Sequence, residues 1–387
     1  MKTVMFPGQG SQAVGMGGTL FDEFPELTRC ADEVLGYSIK ELCLTDPRDE
    51  LKLTQFTQPA LYVVNAMSYY KRVAAGVRAD FLAGHSLGEV NALLAAECFE
   101  FEAGLRLVRK RGEVMSRVSN GAMAAIGNTT KLEIERTLRA NGLNNLDLAN
   151  YNTPSQIVIS GLVDEIARAQ PLFDQGTTLY YPLNTSGAFH SRFMQAAQEE
   201  FRQFLADFTL AEPKIPVIAN VTARPYKGGE MQDTLASQMS RTVRWSESMQ
   251  YLMAIGAARG TTMQFEEVGH GDVLTRLWQT IQRQTPASVL QTIIEDGQAD
   301  ELLRKPDEAP AARMQTPESA PSARVDAATK VTNWNSRHPV GTRVRSLIAD
   351  YAELETRTQA IVLFGHRAAV YMNGYNGYFD LDELTPV

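Results

Sequence analysis

The segment Gly84-His85-Ser86-Leu87-Gly88-Glu89 holds a serine with a glycine two residues away on either side. A short apolar run, Phe81-Leu82-Ala83, precedes it, and a small-residue run from Val90 to Ala96 follows. Strand, sharp turn and helix in that order are the setting of a G-x-S-x-G elbow, which lifts a serine hydroxyl onto the start of a helix. The amide of Leu87 and the helix N-terminus then face any negative charge that develops beside Ser86. The chemistry in view is nucleophilic attack by Ser86; the bland alternative is a serine in an ordinary glycine-rich turn. Of the five histidines, His85 lies inside the elbow and His338 and His366 lie in the tail. His190, after the small-residue loop Ser186-Gly187-Ala188-Phe189, and His270, between two glycines, are the candidates for a base.

Arg111 is the most informative charge. A helix is predicted from Glu102 to Val118, with Leu107, Arg111 and Met115 on one stripe, so the guanidinium projects from the face that should be buried. It needs an anion there, supplied either by a protein carboxylate or by a ligand carboxylate, whose two oxygens match the planar fork. Gln9, in Pro7-Gly8-Gln9-Gly10 after a predicted strand Thr3–Phe6, is either a donor held where a ligand comes close or a turn glutamine facing water.

The elements that must position these residues read as α/β. Helical patterns separated by single short strands imply a parallel sheet covered on both faces. One amphipathic helical stretch is expected from Leu20 to Leu42 and a buried helix around Tyr62–Met67. Residues 122–188 spell β-α-β-β-α-β, the order of a ferredoxin-like unit, inserted as a small subdomain. Residues 304–332, rich in Pro, Ala, Ser and charge, read as a disordered linker. From 333 to 387, short β-type runs separated by Gly365-His366-Arg367 and Asn373-Gly374-Tyr375-Asn376-Gly377 predict a small antiparallel β-rich module, of which an SH3-like fold is one form. The expected layout is therefore a main domain over 1–285, a helix end and linker over 286–332, and the tail module.

With 387 residues the chain can bury a large core, and a formal charge of -8 argues against a general nucleic-acid or membrane-surface role. No apolar run is long enough to span a bilayer, and the first residues lack the regions of a signal peptide, so a cytoplasmic protein is expected. Three widely spaced cysteines with no C-x-x-C pair imply neither a disulfide framework nor a zinc site, and no metal is expected.

Gly8-Gln9-Gly10-Ser11, Thr57-Gln58-Pro59-Ala60, Gly84-His85-Ser86-Leu87-Gly88-Glu89, Arg111-Gly112, Asn150-Tyr151-Asn152-Thr153-Pro154 and Gly187-Ala188-Phe189-His190-Ser191 occur together and in this order. The set resembles the malonyl-CoA:acyl carrier protein transacylase family, and most of all the free-standing acyltransferases that serve polyketide synthases lacking built-in ones. The resemblance covers residues 1 to about 285, and the tail resembles an extension carried by some of those enzymes. It implies an α/β-hydrolase-like main domain, Ser86 as nucleophile and His190 as base, with Gln9 and Leu87 amides as oxyanion hole. Arg111 would grip the malonyl carboxylate with help from Gln58, and Met115 and Asn152 would line the pocket. Phe189 would fill the space a methylmalonyl branch needs, and the backbone carbonyl of Arg244 would orient His190. Two departures stand out: Arg244 replaces a glutamine before the tryptophan, and Gly269-His270-Gly271 replaces Gly-Pro-Gly. The implied partners are malonyl-CoA and holo acyl carrier proteins, with no permanently bound cofactor, no nucleic acid and no membrane. The alternatives are a hydrolase that strips stalled acyl groups from carrier proteins, an unrelated α/β-hydrolase, and an idle scaffold whose tail docks onto synthase modules.

Overall fold

Five short strands build the central sheet of the computed structural model, which describes residues 1–185, 187–297, 300–303, 326–347, 354–363, 367–373 and 378–387. In chain order the first strands are β1 (Lys2–Phe6), β2 (Phe81–Gly84), β3 (Gly121–Gly127), β4 (Asp147–Thr153), β5 (Gln156–Leu162), β6 (Leu179–Pro182), β7 (Val217–Ala219), β8 (Arg224–Pro225) and β9 (Gln264–Glu267). The chain divides into two compact units, Met1–Ser68 with Ala79–Ala309, and Tyr69–Arg78 with Pro310–Val387.

In the first unit the sheet order is β8-β7-β2-β1-β9, parallel except for the β7–β8 pair. Strands β1 and β2 sit at its centre and are buried nearly throughout, which is why they read as unbroken apolar runs rather than alternating ones. Trp245, Met249, Leu252 and Ile255 of the helix Trp245–Ala258 pack against Met5, Phe81 and Ile218 of the sheet, all with essentially no exposure. Helix Ala287–Asp296 adds Leu290, Ile293 and Ile294 to that core, so the unit continues beyond 285.

The second sheet of this unit has the order β4-β5-β3-β6, with every pair antiparallel. Its helices Lys131–Ala140 and Val163–Phe173 cover one face through Ile134, Leu138, Ile166 and Phe173. A capping box explains the first boundary: Thr130 accepts from the Glu133 amide while Glu133 accepts from the Thr130 amide.

Two further expectations change. The stretch 20–42 is three helices, Leu20–Glu23, Pro25–Leu35 and Ile39–Leu44. Pro25 is tolerated only in a first turn, Gly36 ends the second helix at φ 81°, and Ser38 caps the third by accepting from Glu41 N at 3.2 Å. Most of the expected linker, 304–325, lies outside the described residues, but 327–332 belongs to helix Ala327–Arg337, started by Asp326 accepting from Thr329 N at 3.0 Å.

That helix packs Val331 and Trp334 on the core of the second unit, made of Val344, Leu354, Val370, Met372 and Leu384. Strands β10 (Arg343–Ser346), β11 (Leu354–Glu355) and β15 (Leu384–Pro386) form one antiparallel sheet. Strands β12 (Ile361–Leu363), β13 (Arg367–Tyr371) and β14 (Tyr378–Asp380) form another. The turn at 364–366, with His366, and that at 374–377 lie outside the described residues.

Candidate active site

Because β1 and β2 are parallel neighbours with Phe6 opposite Gly84, the loops that follow them leave the sheet side by side at its C-terminal edge. Ser86 stands at the turn after β2 with φ 51°, a left-handed conformation that costs a non-glycine residue on the order of 1 kcal/mol. Its surroundings hold it there. Ser86 N–H donates to Asn220 Oδ1 at 2.8 Å, and Asn220 Nδ2 donates to the Gly84 carbonyl at 2.7 Å. Asn220 directly follows β7, the neighbour of β2, so one side chain spans the elbow. On the other side Gly8 lies so close that a Cβ there would be 2.3 Å from the His85 carbonyl oxygen.

Ser86 Oγ is 2.8 Å from His190 Nε2, and His190 Nδ1 is 2.8 Å from the main-chain oxygen of Gln238. A carbonyl only accepts, so Nδ1 carries the proton and Nε2 is left to accept from the serine hydroxyl. The orienting carbonyl is therefore that of Gln238 and not that of Arg244. Arg244 begins the helix Trp245–Ala258, and its oxygen takes the first intrahelical bond from Ser248 N at 2.9 Å, while its side chain pairs with Glu247. Gln238 ends the helix Met231–Ser237, where last-turn carbonyls lack helical partners. Burial, and secondarily the Arg111 charge, push His190 down to about 3. His270 does not line the cavity in front of Ser86.

Arg111 is 1% exposed. Its Nη1 donates to Gln58 Oε1 at 2.7 Å, and Nη2 donates to Gln238 Oε1 at 2.8 Å and to Ser86 Oγ at 3.2 Å. Among the described residues its Nε has no protein acceptor and Arg111 forms no ion pair. Burial lowers its pKa to about 10, opposed by the charge of Glu89. Of the two sequence alternatives, a structural ion pair is thus not what this cation has.

A cavity of about 400 Å³ opens in front of Ser86 between the two sheets of the first unit. Gln9, Gln58, Leu87, Met115, Asn152 and Phe189 all line it. Among the described residues the main-chain N–H groups of Gln9 and Leu87 have no protein acceptor. The Gln9 side chain is turned to Thr54 Oγ1 at 3.4 Å. Met115 Sδ accepts from Gln58 Nε2 at 3.3 Å, and Asn152 Oδ1 is 2.9 Å from His85 Nε2, which occupies that ring away from Ser86. Phe189 is buried, its ring edge against Gly187, where a Cβ would come within 2.7 Å. The sequence reading missed Gln238, Asn220, Tyr226 and the use of Glu89. Only Glu89 carried a visible signal, an acid inside the elbow motif. No group of three or more His, Cys, Asp or Glu that could hold a metal occurs among the described residues.

The family model described as "Acyl transferase domain" matches residues 3–309. The chain belongs to that family. Within it, the chain is 55% identical over 290 residues to the polyketide biosynthesis malonyl CoA-acyl carrier protein transacylase PksC of Bacillus subtilis, covering 74% of this chain and 99% of that one. Among solved structures, the malonyl CoA-acyl carrier protein transacylase of Burkholderia pseudomallei matches with TM-score 0.73 and 61% identity over 74% of this chain and 99% of that one. A malonyl-transacylase in complex with its type II polyketide synthase acyl-carrier protein matches with TM-score 0.68 and 29% identity, over 76% and 99%. All the cavity residues named above fall inside the acyl transferase region, whereas β10–β15 fall outside it.

Proposed function

We propose that the chain moves a malonyl group from malonyl-CoA to the phosphopantetheine thiol of an acyl carrier protein, through a malonyl ester on Ser86. His190 Nε2 takes the Ser86 proton as Oγ bonds to the thioester carbon, and the oxyanion rests on the Gln9 and Leu87 amides. The C–S bond breaks, and CoA leaves as a thiol with the proton from His190. The carrier's thiol then gives its proton to His190, its sulfur attacks the ester carbon, and the Oγ–C bond breaks with the proton returned to Ser86. The reading uses no resident cofactor.

One observation carries this reading: a buried guanidinium that forms no ion pair among the described residues lies 3.2 Å from the nucleophile. So short a reach suits an acyl group whose free acid stands one methylene from the carbonyl, and longer diacids would overrun it. Neutral acyl groups would leave Arg111 unpaired, and a site built around a charged partner rejects analogues lacking it. The Phe189 ring supports the choice of an unbranched unit. A polyketide synthase supplied in trans is the client we infer, in the cytoplasm; no helix among the described residues is long and apolar enough to cross a membrane. We read the first unit as an α/β-hydrolase-like domain with a ferredoxin-like insertion, and the second as an SH3-like module.

Intact-mass measurement after mixing with malonyl-CoA, methylmalonyl-CoA or acetyl-CoA, with and without a holo carrier protein, tests the proposal. A malonyl adduct on Ser86 that passes to the carrier is expected. An adduct lost to water with the carrier unloaded would make the chain a hydrolase instead.

A further inference from the structure

We propose that Glu89 is a positioning residue for carboxylate selection: it sets the orientation of the Gln238 side-chain amide, and through that amide the Arg111 guanidinium. The proposal rests on the malonyl-transfer reading and concerns a side chain to which that reading gives no task. Glu89 and Gln238 are both fully buried. Three donors converge on the Glu89 carboxylate: the Tyr226 hydroxyl, Gln238 Nε2 at 2.7 Å, and Asn220 N–H at 3.3 Å. The same Nε2 gives its second hydrogen to the Ser86 carbonyl at 2.7 Å, while Gln238 Oε1 accepts from Arg111 Nη2 at 2.8 Å.

A glutamine amide has one accepting and one donating end, and its neighbours decide which way it lies. The Glu89 carboxyl oxygens accept from all three neighbours, so they take the Nε2 end of Gln238 and leave Oε1 for the guanidinium. Turning the amide over would set Oε1 against two acceptors and Nε2 against a cation. Gln238 is held at its main chain as well, since its carbonyl accepts from His190 Nδ1. The bland account of Glu89 is an acid placed in the first turn of helix Gly88–Ala95 for the helix dipole. Its three partners come from Tyr226, Gln238 and Asn220, outside that helix, and they form a relay ending on Arg111. Burial pushes the Glu89 carboxyl up to about 7 against the pull of these donors.

Glu89→Gln keeps the shape but presents an amino group to a cluster of donors. The Gln238 amide is then free to turn, and Arg111 loses an acceptor. The malonyl-to-acetyl ratio of kcat/KM for Ser86 acylation should fall roughly 10- to 100-fold, the worth of one charge-assisted hydrogen bond, chiefly through KM for malonyl-CoA. Gln238→Met, which keeps the main-chain carbonyl, should give the same fall, and the double variant no further one. Equal slowing of both substrates in Glu89→Gln, or an unchanged ratio, overturns the proposal. Should Glu89→Gln not fold, Gln238→Met decides, and a ratio within about twofold of wild type overturns it. Wild type in the same assay keeps the two readings apart. A wild type that never forms a malonyl adduct ends malonyl transfer itself, whereas selective acylation by both wild type and variant ends only the role of Glu89.

Discussion

Arg111 Nη2 donates to Ser86 Oγ at 3.2 Å, so the cation that would select the substrate also touches the atom that would attack it. Arg111→Ala should therefore lose selection more than chemistry. Malonyl acylation is expected to drop by roughly 100-fold or more in kcat/KM, while acetyl acylation of Ser86 persists, because the unpaired cation no longer opposes a neutral acyl group. Arg111→Lys should not rescue, since a point charge cannot serve Gln58, Gln238 and a carboxylate from one plane. Competition between malonyl-CoA and acetyl-CoA read by intact mass checks this; retained malonyl preference in Arg111→Ala would exclude the role.

His190 is held down at about 3 by burial first and the Arg111 charge second, so its imidazole is neutral and ready to accept a proton across the physiological range. The acid limb of kcat/KM should lie well below the ordinary histidine value, and in Arg111→Gln it should move to higher pH because the second cause is gone. The stability consequence has a definite sign. Below about 6.5 the unfolded chain binds a proton that the folded His190 refuses, so stability falls as pH drops from there toward 3, by up to about 1.4 kcal/mol per pH unit from this group. Above that window the group contributes nothing. Urea unfolding of wild type and His190→Ala across this range should show the slope in the first and its reduction in the second.

What could be read beforehand depended on whether a residue acts through its side chain. Ser86, His190 and Arg111 were legible because a serine between glycines, a histidine after a small-residue loop and a cation on an apolar stripe each break a local pattern. The β-α-β-β-α-β order over 122–188 was legible because its strands and helices follow clean periods. Gln238 was not, since it orients His190 with a main-chain oxygen that any residue at a helix C-terminus could offer, and Arg244 drew attention only through its place before Trp245. Helix Ala327–Arg337 was hidden because its packed residues Val331 and Trp334 sit among Lys, Thr, Asn and Ser.

The inferred oxyanion hole depends on a close approach rather than on a side chain. At Gly8 a Cβ would meet the His85 carbonyl oxygen at 2.3 Å, and backbone cannot swing aside as a flexible side chain can. Gly8→Ala should push the Gln9 amide away from Leu87 and cost roughly 100- to 1,000-fold in acylation rate, the effect of losing one oxyanion donor. Gln58 and Gln238, which hold the Arg111 guanidinium, lie on other elements, so the malonyl-to-acetyl ratio should stay near that of wild type. A change in that ratio as large as the change in rate would place the damage elsewhere.

Asn220 is the counterpart on the far side of the elbow. It joins Ser86 N–H to the Gly84 carbonyl, beneath a Ser86 held at φ 51°. Asn220→Ala strands a donor and an acceptor under the nucleophile, at about 1–3 kcal/mol for each group left unsatisfied, so thermal unfolding should shift down by several degrees. Ser86 would then be free to relax out of the left-handed region, which turns Oγ away from His190 Nε2. Acylation should fall for malonyl-CoA and acetyl-CoA alike, in contrast to Arg111→Ala, and Asn220→Asp should recover the bond to Ser86 N–H but not the one to Gly84. A variant as stable and as fast as wild type would show that the strain at Ser86 is held by the glycines alone.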